Sequence, residues 1–403
     1  MKKIIVFIVS LFSAVLSLSA RDIYSDADKS TKEVLAQVDD LIEKEQYESA
    51  FGRLSAADTN EYILTKRVEV ACTYFAQSMM HQLFAFKNLE KGETLYDVRT
   101  GEGSFNLIMF DPVEAVESYV KENGEKPILD YALGFYYQDV IDRYYDKWLL
   151  TLDELNEKVA LHFQKALDKG CYDEYSLIWL ATAYYGLDKN EDAIRIYEAK
   201  EKEFKFTPTD NYHYGILMWQ NDNSKKGVEY VKKSIDGYKD MPGYQADAYV
   251  VTGLIYISLK DYKNAEKYFN KCKKEHPDDY RPLQYGVRLC ALQNQSKKLV
   301  STAMELYAIA PENPKTCQMI MEECENAGKA ELALDFFKEA VKKYEKNSEA
   351  CENLYFHYAF QNSFLGNAGE AAKLAATARS YFEKNGHLDD DIAEMLDSLI
   401  YAK

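Results

Sequence analysis

Apolar residues recur three and four positions apart through most of this chain, the spacing that lays one stripe along an α-helix. Between Tyr62 and Glu90 the stripe runs through Val68, Ala71, Cys72, Phe75, Met79, Leu83 and Phe84, which predicts one long helix. Near the end, Ile392, Met395, Leu396, Leu399 and Ile400 form another stripe behind Asp389, Asp390 and Asp391, predicting a terminal helix whose acidic start suits the helix dipole. Residues 91–111 break the pattern with Gly92, Gly101 and Gly103. Two apolar runs there, Leu95–Val98 and Phe105–Phe110, predict a β-hairpin or a folded loop about the central glycines.

Elsewhere the stripes come in pairs with a fixed grammar. From Ala246 the order is Tyr249, Gly253, Tyr256, then Tyr262, Ala265, Phe269, Cys272 and a closing Pro277. A small residue on each helix lets two backbones approach, and the aromatics fill the space beside it. Leu177, Ala181, Tyr184, Ala193 and Tyr197 repeat this order, with Asp188-Lys189-Asn190 as the turn. So do Gly215, Met218, Gly227 and Val231, and Met321, Cys324, Gly328, Ala333, Phe337 and Ala340. Unit starts at 174, 208, 246, 279 and 314 are 34, 38, 33 and 35 residues apart.

These residues and this period resemble the tetratricopeptide repeat. The resemblance implies an all-α fold, a right-handed α-solenoid of antiparallel helix pairs, with one small β-hairpin or loop insertion. The expected organisation is a signal peptide at 1–20, a degenerate helix pair at 21–60 and a long helix with the insertion at 61–126. A repeat array follows at 127–385, with units starting near 127, 174, 208, 246, 279, 314 and 352, and a capping helix at 386–403. Three units depart from the pattern. After Leu133-Gly134 the second helix, Val159 to Ala166, arrives about 13 residues late. In the unit at 279, Ala303 and Tyr307 arrive five residues late relative to Gly286. The last unit keeps Ala371, Ala375 and Ala378 but blurs its first helix.

Composition changes the picture in three ways. Met1-Lys2-Lys3, the apolar run Ile4–Leu18 and the small residues Ser17–Ala20 read as a secretory signal, predicting an exported, periplasmic or secreted protein without stable membrane insertion after cleavage. The 49 Lys and Arg against 66 Asp and Glu, a net charge of −17, disfavour nucleic acid as a partner. The cysteines are seven: Cys72, Cys171, Cys272, Cys290, Cys317, Cys324 and Cys351. They are widely spaced, and several sit where the repeat wants small buried residues, predicting buried thiols.

No catalytic or cofactor motif emerges. The six histidines are scattered, and neither zinc-ligand spacing nor a phosphate-binding glycine loop occurs. The expected role is therefore binding rather than catalysis, with no cofactor and no metal. The resemblance also implies a concave face built by positions 2, 5, 9 and 12 of each first helix. Those offsets fall on Tyr175, Ile178, Thr182 and Tyr185; on Thr209, Tyr212, Ile216 and Trp219; on Asp247, Val250, Leu254 and Ile257; and on Tyr280, Leu283, Val287 and Cys290. One of the sixteen is charged, which suits an extended apolar peptide or a partner helix better than an acidic tail. The same side chains could instead be spent packing neighbouring repeats. The expected function is a protein-interaction scaffold; the alternative is a solute-handling component that binds an apolar small molecule or docks on a transporter's binding protein.

Overall fold

The computed structural model describes residues 22–101 and 103–401, so the signal reading of residues 1–20 lies outside the described residues. The described chain is nearly all helix, and it divides into two compact units, one ending at Phe206 and one spanning Thr207–Lys403. No helix among the described residues is long and apolar enough to cross a membrane.

The first unit opens with the pair α1 (Lys29–Glu43) and α2 (Tyr47–Ser55), followed by α3 (Glu61–Tyr74). Asp28 caps α1 through the Thr31 amide. Asn60 caps α3 through the amides of Tyr62 and Ile63 and donates 2.8 Å to Thr31 Oγ1, tying the two helix starts together. An insertion follows, with β1 (Gln77–Met79), β2 (Leu83–Ala85), α4 (Leu95–Thr100), β3 (Ile108–Met109) and α5 (Pro112–Asn123). Two helix pairs complete the unit: α6 (Pro127–Tyr144) with α7 (Leu152–Asp168), and α8 (Glu174–Gly186) with α9 (Asn190–Glu203).

The long helix expected over 62–90 stops at Tyr74. A helix end leaves carbonyls without partners, and here two distant arginines take them. Arg143 Nη2 donates to Cys72 O at 2.8 Å, while Arg99 donates to Thr73 O and Phe75 O at 2.9 Å each. Both guanidinium groups also stack on the Phe75 ring, at 4.3 and 4.6 Å. Beyond Phe75 the chain reverses into an antiparallel sheet of order β1-β2-β3, in which Met79 pairs with Leu83 and Leu83 with Met109. Of the two forms expected for 91–111, a β-hairpin or a folded loop, the hairpin does not form. Thr94 and Asp97 form a capping box that starts a helix at Leu95, so only Ile108–Met109 of that stretch is strand.

The second unit is five helix pairs and a terminal helix. The pairs are α10 (Pro208–Gln220) with α11 (Ser224–Gly237), α12 (Pro242–Ser258) with α13 (Tyr262–Glu275), and α14 (Arg281–Leu292) with α15 (Ser296–Tyr307). Then come α16 (Pro314–Asn326) with α17 (Ala333–Lys343), α18 (Ser348–Phe364) with α19 (Ala368–Asn385), and finally α20 (Asp390–Ile400). Asp389 caps α20 through the Ile392 amide, and Leu396 and Leu399 bury against Leu374, Ala375 and Phe382 of α19.

One turn design joins seven of the pairs. A left-handed residue follows the first helix of each: Glu45 after α1, then Asp188, Asp222, Lys260, Asn294, Gly328 and Gly366, these last six at intervals of 34, 38, 34, 34 and 38 residues. The next amide then reaches back to a carbonyl of the last turn, as in Asn223 N to Met218 O and Asp261 N to Tyr256 O, both 2.9 Å. The helix crossings follow the same beat. A Cβ on Gly253 would lie 2.3 Å from the Phe269 ring, on Gly215 2.6 Å from Val231, and on Gly286 3.2 Å from Thr302. In each case the partner is sixteen residues on. Gly134 meets Phe163 at twenty-nine, and the 13 extra residues are shared by a longer α6 after Gly134, the 145–151 link and a longer α7 before Phe163. The unit at 279, by contrast, is not late. Thr302 takes the place beside Gly286, and Ala303 and Tyr307 are core residues of the same helix rather than shifted copies.

Candidate functional site

In the second unit the first helices of successive pairs are neighbours, and polar links stitch them together. Trp219 Nε1 on α10 donates to Ser258 Oγ on α12 at 2.9 Å. Asp247 on α12 pairs with Arg281 on α14, which also grips Asp279 through three hydrogen bonds of 2.6–3.1 Å. Burial works to raise the Asp279 carboxyl, yet the bonds and charge of Arg281 bring it below its ordinary value. Gln284 and Arg288 on α14 both hold Glu323 of α16, at 2.7 and 2.5 Å. Glu323 is almost wholly buried, and burial raises its carboxyl against the pull of Arg288. The one acidic position predicted on this face, Asp247, is thus already neutralised.

The predicted face residues divide by burial. Tyr212, Trp219, Leu254, Ile257 and Leu283 are half-buried in the second unit, and Tyr280 is exposed. Tyr175, Ile178 and Tyr185 are half-buried on α8 of the first unit. Four others, Ile216, Val250, Val287 and Cys290, do not reach the surface. Val287 is completely buried in the core with Cys290, Leu299 and Ala303, and Val250 and Ile216 are buried too. Packing therefore claims the side chain at Ile216, Val250 and Val287, while the same offsets leave Leu254, Tyr212 and Leu283 half-buried. Leu254 and Ile257 also lean on the small cluster of Ala265, Phe269 and Leu289, leaving only part of each side chain available.

Around Tyr212 the packing is aromatic. Its ring meets Tyr238 edge-on at 6.2 Å, and Tyr238 lies 5.3 Å from Tyr244. Burial pushes the Tyr238 hydroxyl up to about 12 and that of Tyr212 higher still, so both are neutral hydrogen-bonding groups at any physiological pH. Six cysteines are buried and Cys171 is half-buried. Burial pushes the Cys324 thiol up to about 12, as it does Cys272.

Two exposed features were not read from the sequence. On the three-stranded sheet Met79, Met80, Ile108 and Met109 are 48–70% exposed, and Met79, Leu83 and Met109 are cross-strand partners in one row. The period-2 signal of strands two and three residues long is too short to find. Tyr280 also lines a cleft of about 400 Å³ with Leu306, Ile309, Met319 and Glu322, formed after α15 where the sequence offered only a loop.

Helix pairs joined by one recurring turn, each crossing made by a small residue against its partner helix, define a helical repeat protein. Residues 247–279, which take in most of α12 and all of α13, match the tetratricopeptide repeat family. The chain therefore carries a tetratricopeptide repeat at 247–279, within a series of helix pairs built on the same turn and crossing. It is similar to a tetratricopeptide repeat protein from Parabacteroides merdae ATCC 43184, at 18% identity and a TM-score of 0.40 over 66% of this chain and 98% of that one. It is also similar to the C-terminal part of a repeat-containing protein from Cytophaga hutchinsonii, at 12% identity and a TM-score of 0.43 over 65% and 99%. A third similar structure is YrrB, described as a TPR protein with an unusual peptide-binding site, at 16% identity and a TM-score of 0.34 over 47% and 96%. No curated protein matches the chain.

Proposed function

We propose that this protein is an exported scaffold that binds a protein or peptide partner through the first-helix face of its second unit, and that it works without catalysis. The observation that carries the proposal is the half-buried stripe of Tyr212, Trp219, Leu254, Ile257 and Leu283, on helices whose charged groups are already paired with one another. Such a face favours an apolar segment over an acidic tail, because no free lysine or arginine stands among those positions to meet a carboxylate. Export rests on the sequence of residues 1–20, and the charge of −17 argues against nucleic acid.

Trp219 supplies the test. Large aromatics at the centre of an interface often account for about 2 kcal/mol or more each when truncated. Trp219→Ala is expected to weaken partner capture about tenfold or more while leaving the melting temperature nearly unchanged. A fall matching the ~3–5 kcal/mol typical of a truncated core aromatic would remove Trp219 from the binding face and assign it to packing.

A further inference from the structure

The densest unexplained chemistry lies in the first unit and involves none of the residues of the proposed binding face. Cys72 on α3, His81 between β1 and β2, and Asp139 on α6 bring one sulfur, one imidazole nitrogen and one carboxylate oxygen within 4.8 Å of one another. We propose that these three side chains bind a single divalent transition-metal ion of the zinc class.

The donor set is the first support. Thiolate, imidazole and carboxylate are the three ligand types that zinc takes, and three protein ligands with one open position is an established arrangement. Zinc lies about 2.0–2.3 Å from its ligands, so a tetrahedral ion sets them roughly 3.3–3.8 Å apart. His81 Nε2 and Asp139 Oδ2 now share a hydrogen bond of 2.7 Å, so an ion replacing that proton needs an opening of under about 1 Å. Cys72 and His81 are both completely buried, and the Asp139 side chain, 15% exposed, marks the route in from solvent.

The supporting shell is the second. Ser78 Oγ lies 3.3 Å from His81 Nδ1, so with Nε2 on the metal the Nδ1–H has an acceptor. Arg143 Nε holds Asp139 Oδ2 at 2.8 Å, which leaves Oδ1 without a hydrogen bond among the described residues. The positive charge of Arg143 and Arg99 opposes a cation; Arg143 Nη2 and the Arg99 donors go to the carbonyl end of α3, whose dipole offsets part of it, while Arg143 Nε stays on Asp139. Rings of Phe75, Phe84, Tyr136, Tyr144 and Trp148 enclose the imidazole at 5.2–6.5 Å.

Two oddities are then explained together. Met80 and His81 are consecutive left-handed residues, at φ 49° and 53°, in a turn that ordinarily takes Asn-Gly. Cys72 Sγ, like the sulfurs of Cys317 and Cys324, has no hydrogen-bond partner among the described residues, but it lies beside an imidazole and a carboxylate. A strained turn that buries an imidazole beside an unpartnered thiol fits a ligand set. On binding, the Cys72 proton passes to water and the sulfur binds as thiolate.

The test uses the whole chain, stripped with a chelator and titrated with Co²⁺ and Zn²⁺. One equivalent of Co²⁺ is expected to bind with a near-ultraviolet thiolate-to-cobalt absorption, and Zn²⁺ to displace it. Cys72→Ser is expected to abolish that band, and His81→Gln to weaken binding about tenfold or more. In the unmutated chain, Zn²⁺ should protect one thiol from alkylation, located at Cys72 by peptide mapping; this holds even where a variant fails to fold. No stoichiometric binding at micromolar metal, binding unchanged in both variants, or protection mapped to another cysteine overturns the proposal.

Discussion

Glycine sits at three crossings of the second unit, and what a methyl group would strike differs at each. At Gly215 the added Cβ would lie 2.8 Å from the Val231 amide nitrogen and 2.9 Å from Gly227 O, so backbone stands in its way. At Gly253 the obstacle is the Phe269 ring, with three carbons at 2.3–2.8 Å on a side chain that is itself buried. At Gly286 only Thr302 Cγ2 is close, at 3.2 Å. Replacing helical Gly by Ala gains about 0.5–1 kcal/mol of backbone entropy, while overpacking a filled crossing costs about 1–3 kcal/mol. Gly215→Ala and Gly253→Ala should therefore lose roughly 0.5–2 kcal/mol net, and Gly286→Ala should be close to neutral. Exposed Gly52 on α2, with nothing within 4 Å, should gain from the same change. Urea unfolding followed by circular dichroism reads the order directly. Shrinking the obstacle should rescue: Gly253→Ala combined with Phe269→Leu should lose less than the sum of the singles, a coupling of about 0.5 kcal/mol or more. If Gly215→Ala and Gly253→Ala behave like Gly52→Ala, the crossings are not where these glycines stand.

Three further outcomes are expected. Asn60→Ala removes a cap from α3 and the tie to Thr31, and should cost about 1 kcal/mol in unfolding experiments. His387 bonds Glu352 Oε1 at 2.9 Å, which raises its pKa above the ordinary 6.5. The stabilisation from that pair is therefore full below about 6.5 and fades as pH rises through the folded value, and an NMR titration should find His387 deprotonating late. The intact mass of the natural protein should place its first residue at or within a residue or two of Arg21; retained Met1 would contradict export.

The array was legible because its rules are local. Gly253 with Phe269 and Gly215 with Val231 lie one helix turn-back apart, so spacing alone announces the crossing. The insertion was not, because its cause is distant. What ends α3 is Arg143, 71 residues away, and Arg99, 24 and 26 residues from the carbonyls it takes. A stripe of Val68, Ala71 and Cys72 continuing into Met79 and Leu83 looks helical until those partners are known. The helix at Leu95 is started by the Thr94–Asp97 capping box, a short local signal beside three glycines that break the helical pattern. Position offsets placed the candidate face on the first helices. They could not separate half-buried Leu254 from buried Val250, since that depends on how closely the next pair approaches.

The central claim is that partners meet the first helices of the second unit, and site-specific photo-crosslinking in the native host tests it most directly. A photoreactive amino acid placed singly at Tyr212, Trp219, Leu254 or Ile257 samples that face. The same group at exposed Glu229 or Lys267, on the second helices α11 and α13, samples the other side. The account predicts one shared adduct from the first-helix positions and none from the second-helix positions. Adducts of equal yield from both sets, or only from the second helices, would contradict it.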